Sequence, residues 1–394
     1  MNHAPLTHLG DMPIETFLKE YWHKKPCVIR NALPDFEPLL SADELAGLAC
    51  EEEVESRLLI GEQQGHSWQL KHGPFDDDAF GSLPEKGWTL LVQAVDHWLP
   101  EAADFLDKFR FVPSWRMDDL MISYAVDEGG VGAHYDNYDV FLVQAEGTRR
   151  WEYGGLFDSH SELKPDLPVK IIADWAPEEV VELNAGDILY LPPRVGHNGT
   201  AVGDDCITYS VGFRAPSMQE ILRDYTDYLG ERMLPEQRYA DANLALQANS
   251  GEISAAAIAQ LKAQLIASIE KEENLAQWFG KAMTEPKYAE IDPAPEEEMD
   301  AETLVEMLQE GAVLRRTEGC RFAWTAVGDG GVTLFADGAS FPCPPAAVSF
   351  VQELCHQREL EGAKLVALLN DPAAQAMLQI LYNQGSLYLE NLDG

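Results

Sequence analysis

The period of apolar positions changes twice along the chain. Residues 1–110 mix both kinds of short element. Pro13–Trp22 and Ser41–Ala49 carry apolar residues at helical spacing, whereas 26–30, 56–60 and 67–71 read as strands. Ser41, followed three residues later by Glu44, predicts a capping box at the start of the second helix. Residues 111–215 contain seven short runs of strand character (119–125, 139–144, 148–153, 180–183, 187–191, 200–202 and 206–213), separated by Gly, Pro or Asp turns. Many short strands at close spacing predict a β-sandwich or jelly roll. After Pro216 the helical period returns at 218–229, 255–273 and 274–284. These helices are amphipathic without an evident partner, so self-association through residues 216–290 into a homodimer is expected. Three prolines and the run Pro295-Glu-Glu-Glu-Met-Asp300 fall within 285–301 and place an acidic linker at 291–301. Residues 302–394 read as a winged-helix-like unit. It has a helix at 303–310, a strand at 321–325, a hairpin turning on Asp337-Gly338, two helices and a last strand at 386–390. The predicted class is mixed α/β with a mainly β core, and residues 1–215 form the domain built around that core.

Composition narrows the setting. The 394 residues, 46% of them apolar, suffice for two or three domains. There is no 18-residue apolar run, so no membrane span is expected. The first residues lack a basic stretch followed by an apolar one, so no secretory leader is expected. Six scattered cysteines (27, 50, 206, 320, 343 and 355) form no C-x-x-C pair, which suits a reducing cytoplasm. Against 67 acidic residues stand 28 basic ones, a net charge of −39. Such a field repels nucleic acid and draws in a basic macromolecule. Residues 302–394 hold 12 acids and 5 bases, which argues against DNA binding by the winged-helix-like unit.

The chemistry is carried by His134-Tyr-Asp136 and a single His197 placed sixty-one residues after Asp136, behind the run Gly186-Asp-Ile-Leu-Tyr-Leu-Pro-Pro193. Two imidazoles and one carboxylate can cap one face of an octahedral Fe(II) and leave three positions open for a co-substrate and O₂. Mn, Co and Ni suit similar ligands. Read as a strand, the run turns His134 and Asp136 to one face with Tyr138 next on it, while Tyr135 and Asn137 point away. Gly129-Gly130-Val-Gly132 just before His134 permits unusual backbone angles near the metal.

Tyr21-Trp-His-Lys-Lys-Pro-Cys-Val-Ile-Arg30, the H-x-D run, Gly147-Thr-Arg-Arg-Trp151 and the run ending in His197 resemble the cupin/JmjC 2-oxoglutarate oxygenases. With Val211-Gly-Phe-Arg-Ala-Pro216, the helices and the acidic tail, the whole chain is similar to the bacterial ribosomal oxygenases of the YcfD/RoxA type. The resemblance implies a double-stranded β-helix, a helical dimerisation region and a winged helix. It implies Fe(II), 2-oxoglutarate and O₂ as the reaction partners of His134, Asp136 and His197. It also implies a basic ribosomal protein as substrate, with hydroxylation of an arginine of protein sixteen of the large subunit. Arg149, two residues before Trp151, matches the cation that holds the distal carboxylate of 2-oxoglutarate, and Arg150 faces outward. Ser123 matches the hydroxyl that shares this carboxylate, with Thr208 or Ser210 as further candidates. Asp119, Met121 and Tyr138 suit a guanidinium and its methylene stem. A histidyl hydroxylase, a methyl-lysine demethylase and a metal cupin without oxygenase activity are the alternatives.

Overall fold

The structure is a computed structural model that describes residues 4–62, 67–270 and 272–390. The chain divides into two compact units, 1–215 and 216–394. In the first, besides a two-stranded ribbon of His8–Leu9 and Met12–Pro13, helices α1 (Ile14–Glu20), α2 (Ala42–Leu48) and α3 (Pro100–Asp107) accompany the nine strands of the main sheet: β1 (Cys27–Ile29), β2 (Ser56–Ile60), β3 (Gln69–His72), β4 (Trp88–Val92), β5 (Met117–Ala125), β6 (Val140–Leu156), β7 (Glu179–Asn184), β8 (Ile188–Leu191) and β9 (Val195–Phe213). Among the described residues they form one antiparallel sheet in the order β1-β8-β6-β9-β5-β4-β2-β3, with β7 paired to β6. The Ser41–Glu44 capping box is present at the start of α2, both reciprocal bonds included.

The sheet is buried on both faces. Phe141 and Val143 of β6 join Ile188 and Tyr190 of β8 in a core with Phe17, Leu45, Phe105 and Phe109 of the N-terminal segment. Val140 and Leu142, one residue out of step, join Leu189 and Leu191 in a second core on the opposite face. The expected strands 139–144 and 148–153 are one strand, and so are 200–202 and 206–213. Each pair is joined across a bulge. Gln144 pairs with Thr208, but Glu146 pairs with Ile207, and Gly147 takes φ +66°. Two residues of β6 thus oppose one of β9, and the parity of β6 reverses. Before the bulge the even positions Val140 and Leu142 face the second core. After it the odd position Trp151 does.

The second unit opens with α4 (Met218–Glu231), begun by a capping box of Ser217 and Glu220, then α5 (Ala255–Ile269) and α6 (Glu272–Thr284). The expected helix 255–273 stops at Ile269, and its residue 271 lies outside the described residues. Tyr225 and Leu229 of α4 pack against Trp278 of α6. The linker region is tied down. Met299 exchanges two hydrogen bonds with the Asn383 side chain, and Asp300 caps α7 (Ala301–Gln309). Next come β10 (Val313–Arg316), β11 (Phe322–Ala326), β12 (Val332–Ala336) and β13 (Ala339–Cys343). The turn at Asp337 (φ +49°) and Gly338 (φ +78°) has the two positive φ values that an Asp-Gly hairpin favours. Three helices follow where two were expected: α8 (Val348–His356), α9 (Gly362–Val366) and α10 (Pro372–Asn383). Between α8 and α9 lies β14 (Glu359–Glu361), and β15 (Leu387–Glu390) closes the unit. β10 and β14 escape prediction because four and three residues are too few to show a period.

Phe17 is fully buried and meets Tyr190, Phe141, Trp22 and Phe111 with ring centroids 4.8–6.3 Å apart. Phe17→Ala should therefore lower the unfolding free energy by about 3–5 kcal/mol, read from the denaturant midpoint at unchanged slope.

Candidate metal centre

His134 and His197 are joined through their main chains. The His134 amide donates to the His197 carbonyl at 2.9 Å, and the His197 amide returns a bond to the His134 carbonyl at 2.8 Å. The pairing continues at Gly130 and Thr200. A Cβ on Gly130 would lie 2.3 Å from the Gly199 carbonyl oxygen, and one on Gly199 would lie 2.6 Å from the Trp151 ring. Both glycines are needed for this close approach. The two imidazole centroids stand 4.2 Å apart.

Each imidazole has its Nδ1 beside a backbone carbonyl oxygen: His134 with Gly132 at 2.9 Å, and His197 with Val195 at 3.1 Å. A carbonyl only accepts, so Nδ1 carries the proton and Nε2 keeps its lone pair. The Asp136 carboxylate lies 3.6 Å from His197 Nε2. Ligand atoms of His134, Asp136 and His197 all fall within 4.8 Å of one another, a spacing one metal ion can bridge. Burial, then the neighbouring His134, lowers the His197 pKa to about 4, so the ring is neutral and ready to coordinate at physiological pH.

The strand expected to carry both His134 and Asp136 is corrected. His134 makes an isolated bridge, residues 135–139 form a loop, and β6 begins at Val140. The loop is held by side chains rather than by a ladder. Buried Asp139 accepts from Tyr190 Oη at 2.5 Å and from Arg116 Nη2 at 3.3 Å, and lies 3.0 Å from His23 Nδ1. The Asp136 carbonyl accepts from the Arg194 amide at 2.6 Å. Tyr138 is still brought to the site. The residue is 41% exposed, but desolvation of its hydroxyl, then the adjacent Asp136 and Asp119 carboxylates, raise that group's pKa, so it stays protonated.

Arg149 is buried, 5.6 Å from the Trp151 ring, and paired with Ala201 of β9. It shares a face with Trp151, Gly199 and His197, in register along β6 and β9. Four residues separate Ala201 from His197, about 13 Å of strand. A long side chain and a five-carbon dicarboxylate can divide that span. Arg149 Nε and Nη2, the two donors of one edge of the guanidinium, have no hydrogen-bond partner. A buried cation with an empty donor edge fits a carboxylate ligand. Arg150 points to the other face, where it pairs with Glu152 at 2.6 Å.

Asp119, Met121 and Ser123 alternate on β5 toward the same side, while Leu120 and Ile122 enter the core that holds Phe17 and Tyr190. The buried Ser123 hydroxyl donates to the Thr208 carbonyl at 3.3 Å, so it must rotate to serve a carboxylate. Thr208 lies opposite Ser123 and gives its own hydroxyl to Gln144, while Ser210 lies opposite Met121. Sequence reading misses Gln93, whose amide holds Asp119, and Arg57, which holds Gln93. Their only signal is a polar residue closing the apolar run Trp88–Val92. A cleft of about 450 Å³, lined by Trp68, Gly130, Gly132, Trp175, Asn198 and Thr200, includes none of the three candidate ligands, Arg149, Ser123 or Asp119.

Residues 104–221 match the JmjC domain, 260–388 the ROXA-like winged helix, and 176–279 the AraC-like ligand binding domain. The chain is 37% identical over 380 residues to the ribosomal protein uL16 3-hydroxylase of Escherichia coli (strain K12), spanning 95% of this chain and 97% of that one. It belongs to the JmjC ribosomal oxygenases. A probable ribosomal oxygenase of Haemophilus influenzae is 43% identical over 209 residues, 53% of this chain and 51% of that protein. The solved structure of the E. coli ribosomal oxygenase YcfD with cobalt and 2-oxoglutarate superposes with TM-score 0.86 at 34% identity, covering 98% of this chain and 99% of that one. The double-stranded β-helix and winged helix implied by the sequence resemblance are therefore those of this oxygenase family.

Removing a ligand tests the metal centre directly. His134→Ala should weaken Co(II) or Mn(II) binding by about 100-fold or more in calorimetric titration, with the far-ultraviolet spectrum unchanged.

Proposed function

We propose that this ribosomal oxygenase is an Fe(II)- and 2-oxoglutarate-dependent hydroxylase acting on an arginine side chain of large-subunit protein uL16. The observation that carries the reading is the buried Arg149, whose Nε and Nη2 lack partners on the same sheet face as His197. A metal cupin without 2-oxoglutarate has no use for such a charge, because burying an unpaired guanidinium is costly. The names of the relatives, a uL16 3-hydroxylase and a ribosomal oxygenase in complex with cobalt and 2-oxoglutarate, support the same reading.

In this account His134, Asp136 and His197 hold the metal through Nε2, a carboxylate oxygen and Nε2. Arg149 pairs both Nε–H and Nη2–H with the distal carboxylate of the co-substrate, and Ser123 rotates to add a third donor. Bound Fe(II) and 2-oxoglutarate supply the oxidation: one O₂ is consumed, 2-oxoglutarate becomes succinate and CO₂, and one oxygen atom enters a substrate C–H bond. The residues of this chain aim that bond. Asp119 accepts from the substrate guanidinium, and Met121 and the Tyr138 ring flank its methylene stem. The negative field of the whole protein speeds encounter with a basic ribosomal protein.

The same proposal includes a homodimer through residues 216–290. Helix α5 has no buried residue, and Ile258 and Leu265 are 55% and 56% exposed. An apolar stripe of this kind marks an interface. Residues 1–215 then form the catalytic domain and 302–394 the winged-helix-like domain, with 291–301 between helices and wing.

Fe(II)-loaded protein with 2-oxoglutarate and recombinant uL16 should form succinate and add one oxygen atom to a single arginine by mass spectrometry. A shift on histidine, loss of a methyl group from lysine, or succinate without any shift would overturn the substrate. Arg149→Ala should lower kcat/KM for 2-oxoglutarate by about 100-fold or more. It should leave the thermal midpoint of the unliganded protein equal or higher, because it deletes a buried unpaired charge. Ile258→Asp with Leu265→Asp should halve the mass measured by light scattering.

A further inference from the structure

Asp119 is buried at the start of β5, and its position is set from two sides. Its Oδ2 accepts from the Gln93 side-chain amide at 2.6 Å. The next residue along, Leu120, donates its backbone N–H to Asp96 Oδ1 at 2.7 Å. Gln93 and Asp96 bracket a sharp turn after β4, where Ala94 takes φ +50°. The Gln93 amide is itself held. Its Oε1 accepts from Arg57 Nη2 at 3.0 Å, and the same Nη2 lies 4.0 Å from Met121 Sδ.

The chemistry fixes the direction of this chain. A guanidinium can only donate, so Oε1 must face Arg57. An ionised carboxylate can only accept, so Nε2 must face Asp119. Both ends give the same amide orientation. A neutral amide in contact with Asp119 also matters. A lysine or arginine there would cancel the carboxylate charge and compete with a cationic substrate. The arginine stands one side chain further back, where it orients the amide without occupying the carboxylate.

We propose that Gln93, with its amide locked by Arg57, is a positioning residue that fixes the Asp119 carboxylate for a planar guanidinium. This rests on the arginine hydroxylase reading above and deepens it. The direction of the amide makes the site specific for a cation that approaches in the plane of the carboxylate.

The test is a double-mutant cycle on the full-length protein, loaded with Fe(II) and assayed with a uL16 peptide containing the target arginine. Gln93→Met removes the donor at similar volume. It should raise KM for the peptide about tenfold or more with kcat and KM for 2-oxoglutarate little changed. In an Asp119→Ala background the same change should add less than about twofold, because there is no carboxylate left to position. Arg57→Ala should reproduce the effect in part, and Arg57→Lys, which retains a donor to Oε1, should restore KM to within about threefold. Equal effects of Gln93→Met with and without Asp119, or a rise in KM for 2-oxoglutarate alone, would overturn the proposal. Wild-type protein that hydroxylates no arginine peptide would overturn the underlying function, and this inference with it. If Gln93→Met fails to fold, the Arg57 pair gives the same decision: equal KM values for Arg57→Ala and wild type would overturn it.

Discussion

The reciprocal pair of main-chain bonds between His134 and His197 is the constraint on which the site depends. It joins a coil segment to the start of β9 and leaves their imidazoles 4.2 Å apart. An exchange of both bonds sets two residues directly opposite each other with their side chains on one face. The ring orientations then follow from the carbonyls of Gly132 and Val195, and Asp136 completes the set from the loop beyond. None of this survives a bulkier residue at Gly130, because the neighbouring pair Gly130–Thr200 holds the two segments in register.

A second device sets the distance between metal and cation. The bulge at Gln144–Gly147 reverses the facing of β6, so Arg149 and Trp151 turn toward the face of His197. Without it the strand would present Arg150 there, and Arg149 would meet solvent. Placing one arginine inside so acidic a protein has electrostatic meaning. The surface field favours basic partners, whereas the cavity retains a buried positive end that favours a dicarboxylate. Two opposite preferences thus operate on two substrates of one reaction.

Much of this was legible in the chain. The triplet His134, Asp136 and His197 could be read because metal ligation demands particular residue types, and the flanking strand and turn residues give them a setting. Arg149 came from the family resemblance, as the cation two residues before Trp151. Its facing could not be derived by simple alternation, since the bulge depends on how β6 meets β9. The strand expected around His134 failed because Asp136, Asn137 and Asp139 favour turns, and Asp139 is captured by His23, Arg116 and Tyr190 from distant segments. Gln93 and Arg57 were invisible for a related reason. They reach Asp119 only because β2, β4 and β5 lie side by side, a pairing that no local pattern records.

The central claim is that the three-residue metal centre and Arg149 hold one 2-oxoglutarate between them. An anaerobic titration of Fe(II)-loaded protein with 2-oxoglutarate, followed by visible absorbance, tests it without any protein substrate. If the two bind together, 2-oxoglutarate should produce a saturable charge-transfer band at one equivalent per chain. Full metal loading with no band at any 2-oxoglutarate concentration would contradict the account.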